Sequence, residues 1–544
     1  MQAVVLEGFV SRGYNFLSNW AANTPYVILG SFSVQKNSTL EIFPGTVLKL
    51  KDIEVDIFGT VIARGNESNK IVFTSIKDDS VLGDSNGDGV SVPASGDWLG
   101  ILFAPSSGNS VLEHCIVKYA GGKPMSSVTG DNKTSAILIE GSSPTIRNCE
   151  IVNCKGNGIQ TFASGSWIES ISFINVTEWP VYVGDLSCVP YLSGLSNQNN
   201  LSGLIRVRGG VVNTNLLLKN PGFNFSYYVD SDIVINDSAT MSIEPGVAVR
   251  MKSSGIYVYG ALIAIGSSEQ PVIFTTDESD AKPGSWIGVY FMKSQRKSVL
   301  NNCSILYAGG LSSVYLEGAN RQTALFVNES SPVLQNLKIL NSNDAGLEIW
   351  NSGVVLVNSV IAKNSGHGVF VFKGNGSRIY NCTIVGNGKT GLAINQGTVS
   401  FVNNIIVSNG LYGVSKSNSF ITNHHNCYFK NSYDNYDVQP ASSDINADPR
   451  LNGSDFSLMQ GSPVIDRGDN SINILDVDIS GKKRVQGDSV DMGAYEWGTD
   501  VQVGFVDLMI KASDDSEYVG ESTKDLAIQT KSTSVALGSK AVFY

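Results

Sequence analysis

The stretch SRIYNCTIVGNGKTGLAINQGTVSFVNNIIVSNGLYGV, Ser377 to Val414, carries one pattern twice. Asn381 and Asn403 each close an apolar segment, Asn387 and Asn409 follow in the next turn, and Gly391 and Gly413 open the segment after that, all 22 residues apart. The first column extends back through Asn358, Asn336 and Asn302 and forward to Asn426, and beyond one longer step its spacing is 22 or 23 residues. The second column begins at Asn364, and the glycine column at Gly346 and Gly368. Short alternating apolar runs predict strands and the Asn and Gly between them predict turns. A constant period of this size marks a solenoid, in which each rung buries its apolar side only against its neighbours.

Composition agrees. Hydrophobic residues make up 42% of the 544 and charged residues only 16%. The formal net charge of -11 argues against nucleic acid, since phosphate-backbone binding needs a basic surface. No apolar run is long enough to predict a membrane-spanning segment, and the first residues lack the pattern of a signal peptide, so the start reads as internal to a longer chain. Seven cysteines do not suggest a disulfide framework. Cys115, Cys149, Cys303, Cys382 and Cys427 follow the column position directly and read as small core residues; Cys154 and Cys188 have no assignment.

Rungs of three short strands with Asn at a fixed turn resemble the right-handed parallel β-helix of the pectin-lyase-like type. The segments GSPVID from Gly461 and DMGAYEW from Asp491 resemble the C-terminal cap of bacterial secreted or cell-surface β-helix repeat proteins. The expected fold is therefore all-β, a right-handed parallel β-helix with 22–23-residue rungs, followed by the start of a β-sandwich-like module. The resemblance implies an extracellular or cell-surface setting. It does not imply one chemistry, because such coils include lyases and hydrolases as well as adhesins.

A longer duplication sets the domain scheme. YVILGSFSVQKNSTLEIFPG from Tyr26 parallels YYVDSDIVINDSATMSIEPG from Tyr227, while Trp98 pairs with Trp286 and the YAGG at Tyr119 with that at Tyr307, leaving thirteen extra residues in the first unit. The expected divisions are 1–195, a first β-helix unit; 196–445, its duplicate with further rungs; 446–498, the cap; and 499–544, the incomplete sandwich-like module.

The thirteen-residue insertion contains GDSNGDG, in which Asp84, Asn86 and Asp88 match the start of a calcium loop, with the Val90 carbonyl as a further ligand. Ser95 stands where an EF-hand has its bidentate Glu, so Asp79 or Asp97 must complete the shell, and calcium is expected to pin the insertion. A solvated acidic loop is the other reading.

His367, in NSGHGV, invites comparison with polygalacturonases, which carry a Gly-His-Gly. Those enzymes depend on carboxylates that flank the glycosidic bond about 6.5–9.5 Å apart. Here Asp344 and Glu348 are offered without a partner pair, and His367 takes the turn position of Ala345, Thr390 and Tyr412. Glu348 and His367 remain the candidates should the chain be catalytic, but the leaning is against an enzyme. His424 and His425 are adjacent on a strand and are expected to point apart, which argues against a shared metal. RGD at Arg467–Asp469 falls within the cap motif, where turn geometry accounts for it.

With Leu347, Val369 and Leu392 inward, Phe326, Glu348, Trp350, Phe370 and Phe372 share one outward face. Two readings stand: a carbohydrate platform with Glu348 as polar anchor, or a surface covered by a loop or neighbouring domain. The expected function is a non-catalytic extracellular scaffold or adhesin module that binds glycan, with neighbouring domains of a longer chain as partners. The alternatives are a polysaccharide lyase or glycoside hydrolase in the same groove, and a purely structural surface-layer component.

Overall fold

A computed structural model describes residues 3–498 except 11–12, 19–23, 126–133, 187–188, 201–202, 278–280, 434 and 473–474. The expected sandwich-like module at 499–544 and Cys188 lie outside the described residues. Within them the chain is a right-handed parallel β-helix of about 17 turns with rungs of about 23 residues.

Strand pairing follows the sequence period. Leu392 pairs with Val414, Ile379 with Phe401 and Ile384 with Ile406, each 22 residues on and all parallel. Leu347, Val369, Leu392 and Val414 stack as one inward column and are fully buried. Polar turns interrupt these apolar columns, and their buried amides must be satisfied. Asn364 donates to Asn387 Oδ1 (2.9 Å), Asn387 to Asn409 Oδ1 (3.0 Å) and Asn409 to Asn431 Oδ1 (3.0 Å). Each also donates to a main-chain carbonyl of the preceding rung, and Asn387 and Asn409 accept the main-chain N–H of the Asn before them.

The other column works differently. Asn302, Asn336, Asn358, Asn381 and Asn403 have φ of 49 to 61°, the left-handed region that Asn tolerates better than most residues. They make the sharp bend between two strands. The sequence count placed Asn426 sixth in this column, but the structure puts His425 there, with φ of 53°. Asn426 instead extends the adjacent column, accepting from Asn404 Nδ2 at 3.0 Å. The slip moves Cys427 too: it pairs with Ile405 and packs with Phe456, Val464 and Met492 outside the coil, whereas Cys115, Cys149, Cys303 and Cys382 lie in the central core with Cys154. Burial pushes the thiols of Cys154, Cys303, Cys382 and Cys427 up to about 12.

Duplicated residues make matched contacts. Trp98 and Trp286 each donate an indole N–H to a carbonyl twenty residues on, Lys118 and Leu306, at 2.7 Å. The Tyr26 and Tyr227 hydroxyls each donate to a carbonyl eight residues earlier, at 2.8 and 2.7 Å. At the junction, however, the sheets change roles. The Tyr26 segment pairs with Val47–Leu50, yet its counterpart Ser226–Val229 stacks on Leu204–Val207, which continues a different sheet of the first unit. Strands Gly210–Val212 and Leu216–Leu218 open two new columns. The second unit therefore continues the coil turned by one sheet.

Segment 446–498, read from the sequence as the cap, packs along a flank of the coil. Phe456, Leu458, Val464, Met492 and Ala494 pack on Val360, Val385, Ile405 and Cys427, the outer side of four successive rungs. Asn358 and Asn403 donate their amides to Val477 O and Asp469 O, so two bend residues also hold this segment. At its centre Arg484 is fully buried and donates to the carbonyls of Asp491 and Gly493 (2.9 and 2.6 Å). Burial pushes the Asp491 carboxyl up to about 6 and the Glu496 carboxyl up to about 8.

Two outcomes follow from this packing. Asn387→Ala orphans the buried N–H of Asn364, so unfolding in denaturant is expected to lose at least about 2 kcal/mol; a loss below about 0.5 kcal/mol would make the column incidental. Because burial raises the folded-state pKa of Glu496, the folded protein holds a proton that the unfolded chain releases near pH 4.3. Stability from this group is present below that value and lost as pH rises through about 8. Melting scans from about pH 5 to about pH 9 are expected to fall, and Glu496→Gln to flatten the upper part of that fall.

Candidate functional site: an aromatic sheet face closed by a hairpin

Because strand residues alternate sides, every second residue of the sheet that carries Leu347 looks outward. One outward column runs Tyr257, Tyr290, Phe326, Glu348, Phe370, and the next runs Met292, Asn328, Trp350, Phe372. The rings follow one another closely. Centroids are 5.7 Å apart for Tyr257 and Tyr290, 5.3 Å for Tyr290 and Phe326, 6.4 Å for Phe326 and Trp350, and 4.5 Å for Trp350 and Phe372. The structure thus brings together the aromatic residues that alternation grouped, and adds Tyr257 and Tyr290. Sequence counting missed these two because their rungs are 33 and 36 residues long, so a 22-residue step lands elsewhere.

The face is covered. A small antiparallel hairpin, Tyr315–Leu316 with Ala319–Asn320, lies over it and packs Val314 and Leu316 onto the rings. Phe326 is fully buried, Trp350 is 4% exposed and Glu348 7%. Of the two readings of this face, the covered one describes its centre. Phe370 and Phe372, farther along the coil, stay half-exposed.

Arg321, at the end of the hairpin, joins the cover to the sheet. Its guanidinium lies 5.0 Å from the Trp350 ring, and Nη1 is 3.6 Å from Glu348 Oε2. Trp350 Nε1 donates to the same oxygen at 3.0 Å, and Tyr290 OH donates to Arg321 O at 3.2 Å. Burial raises the Glu348 carboxyl above its usual range, against the pull of Arg321. Glu348 is thus the polar anchor of an internal contact.

His367 lies at the rim, its ring 5.7 Å from that of Phe370. Its carbonyl accepts from Gly346 as those of Thr390 and Tyr412 accept from Gly368 and Gly391, which is the turn column read from the sequence. Burial, then the charge of Lys389, holds the imidazole below its ordinary value. Asp344 is paired with Lys389 at 3.1 Å.

The expected calcium ligands are only partly gathered. Asp84 accepts the N–H groups of Asn86, Gly87 and Gly89, and Asn86 donates to Asp88 Oδ2 at 2.7 Å, so these three form one turn. Val90, whose carbonyl is the expected further ligand, is 98% exposed. Asp79 is turned to Ser91, and Asp97 to Ser75, Ala94 and Lys77. No three of Asp79, Asp84, Asp88 and Asp97 place carboxylate oxygens within 4.8 Å of one another. Lysines also tie the insertion to the coil. Buried Lys49 donates to Gly83 O (2.6 Å) and Asp78 O (3.0 Å), and Lys118 bridges to Asp78 at 2.8 Å.

His424 and His425, expected to point apart, converge. The left-handed bend at His425 breaks the alternation, and the two Nδ1 atoms stand 2.9 Å apart. The Asp469 carboxylate joins them, so the acidic residue of the RGD turn faces the coil. A strict 22-residue step from Asn403 would have identified His425 as the bend.

Residues 287–448 match the family model described as "Right handed beta helix region". The protein called Protein bark beetle of Drosophila melanogaster is 36% identical over 78 residues, 14% of this chain and 2% of that protein, so the match spans a small fraction of that relative. Among solved structures, the A-module of the Azotobacter vinelandii mannuronan C-5 epimerase AlgE6 aligns over 77% of this chain and 91% of its own, at 10% identity and a TM-score of 0.23. The periplasmic alginate epimerase AlgG aligns over 74% and 77%, at 10% identity and a TM-score of 0.16. Among the described residues no helix is long and apolar enough to cross a membrane.

Proposed function

We propose that this chain is a non-catalytic β-helix module of a larger extracellular or cell-surface protein, a scaffold or adhesin that takes glycan where its aromatic face emerges from under the hairpin. The observation that carries the reading is the Arg321–Glu348–Trp350 contact. It commits the carboxylate of this face to holding the chain's own cover in place, an arrangement suited to a rigid surface. Phe370 and Phe372 supply the remaining half-exposed rings, and flat apolar faces of that kind stack on sugar rings. One observation favours a second reading, a lyase or glycosidase around Glu348: burial raises this carboxyl above its usual range, the direction that general acid work needs.

A panel of neutral and acidic polysaccharides in affinity gels separates the two. Retention of the wild type that weakens about ten-fold in Phe372→Ala is expected for the binding module. Wild-type retention in that variant removes the glycan platform, and new reducing or unsaturated ends that vanish in Glu348→Gln replace the scaffold with the enzyme. Calcium belongs to the same reading at the turn of Asp84, Asn86 and Asp88, with Asp79 and Asp97 outside its shell. Adding Ca²⁺ to metal-free protein is expected to raise the melting temperature in the wild type but not in Asp88→Ala; equal melting in both withdraws the ion.

A further inference from the structure

His424 ends the strand Val414–His424, and His425 makes the bend that Asn403 makes one rung earlier. Two neighbours on an extended strand point apart, but a left-handed residue turns the chain enough for both rings to face one place. Their Nδ1 atoms are 2.9 Å apart, with the rings nearly perpendicular at 79°. Asp469 Oδ2 is 3.7 Å from His424 Nδ1. One donor atom from each of the three residues fits within 4.8 Å, the only such trio of His, Cys, Asp or Glu among the described residues.

We propose that His424, His425 and Asp469 form a binding site for a divalent d-block cation of the zinc type, which clamps the flanking segment 446–498 to the coil. Two imidazole nitrogens with one carboxylate are a borderline-soft donor set of the kind that Zn²⁺, Co²⁺ and Ni²⁺ accept, whereas Ca²⁺ and Mg²⁺ seek oxygen. Two nitrogens each about 2.05 Å from one tetrahedral cation are about 3.35 Å apart, so the observed pair at 2.9 Å needs to open by only about 0.45 Å to coordinate. Without a cation, two Nδ1 atoms this close share a single proton, because two N–H groups aimed at each other repel. All three residues are half-buried, which leaves water to complete the shell.

The main chain under the three ligands is held in place before any cation arrives. Asn403 accepts from Asp469 N (2.8 Å) and donates to Asp469 O (3.1 Å), while its own N–H reaches His424 O (3.4 Å). Asp469 Oδ1 accepts from Ser471 N at 2.8 Å, which leaves Oδ2 toward the histidines. His425 N donates to Ser443 Oγ at 3.1 Å, and Asn426 Nδ2 to His424 O at 3.1 Å. Ser471 N on the far carboxylate oxygen is an outer partner of the kind that fixes ligand direction, and the other bonds hold the main chain beneath the rings. Because the histidines belong to the coil and the aspartate to the flank, cation binding and docking of the flank reinforce each other. The site is independent of the aromatic face.

The test is titration of the metal-stripped full chain with Zn²⁺ by calorimetry and with Co²⁺ by visible absorption. One saturable equivalent, a d–d spectrum and a raised melting temperature are expected. His425→Asn keeps a residue that accepts the left-handed bend but removes the ring, and His424→Gln removes the other; each is expected to weaken Zn²⁺ binding at least about 100-fold while melting of the metal-free protein stays within a few degrees of wild type. Asp469→Asn is expected to weaken it about ten-fold and to shrink the thermal shift. Unsaturable uptake by the wild type, or one tight equivalent retained in His425→Asn and therefore held elsewhere, overturns the site.

Discussion

The regular C-terminal rungs of the coil rest on the need to satisfy polar groups buried in their turns. Asn364, Asn387 and Asn409 are buried in the same turn of successive rungs, and each has its hydrogen-bond partners in place only if the rungs before and after are in register. Asn364, Asn387, Asn409 and Asn431 therefore couple four rungs through one line of amides. A slip of one residue in any rung would break these bonds and turn the inward Leu and Val column outward at once. Period, register and core are one constraint expressed three ways.

With the rungs so uniform, distinct chemistry arises where the chain departs from the repeat. The hairpin after Ala308 lengthens one rung and folds back on the aromatic columns, turning what would be an exposed stripe into a second small core. The stretch 78–97, which contains the thirteen extra residues of the first unit, is secured to the coil by Lys49 and Lys118. The flanking segment 446–498 returns along rungs already built and is anchored by bend asparagines that have a second use as donors. In each case a regular surface serves as template for an irregular piece. The irregular piece then creates the unusual electrostatics: Glu348 beneath Arg321, Glu496 and Asp491 around Arg484, and the paired histidines beside Asp469.

The repeat, the strands and the inward positions were legible because period-two alternation and a 22-residue step are properties of the chain alone. Grouping Phe326, Trp350, Phe370 and Phe372 needed only counting, and His367 was correctly placed in the turn column of Thr390 and Tyr412. Counting failed where length varied. Tyr257 and Tyr290 sit on longer rungs, and the column spacing predicts the bend at Asn426 where His425 makes it. That error of one residue concealed the convergence of the histidines and misplaced Cys427. The acidic loop shows a different limit: a ligand spacing describes what a turn could gather, but Asp79 and Asp97 are drawn away by Ser91 and Lys77.

By itself, then, the sequence determined that this chain is a stacked coil, which residues face its core, and which side chains share an outward column, since all three follow from local periodicity. Only the tertiary structure decided what lies on that coil. Whether the aromatic face is open or closed, how the second unit turns by one sheet at the junction, and which carboxylate meets His424 and His425 depend on contacts between segments far apart in the chain. Those contacts are set by shape and charge at a distance, and no repeating pattern records them.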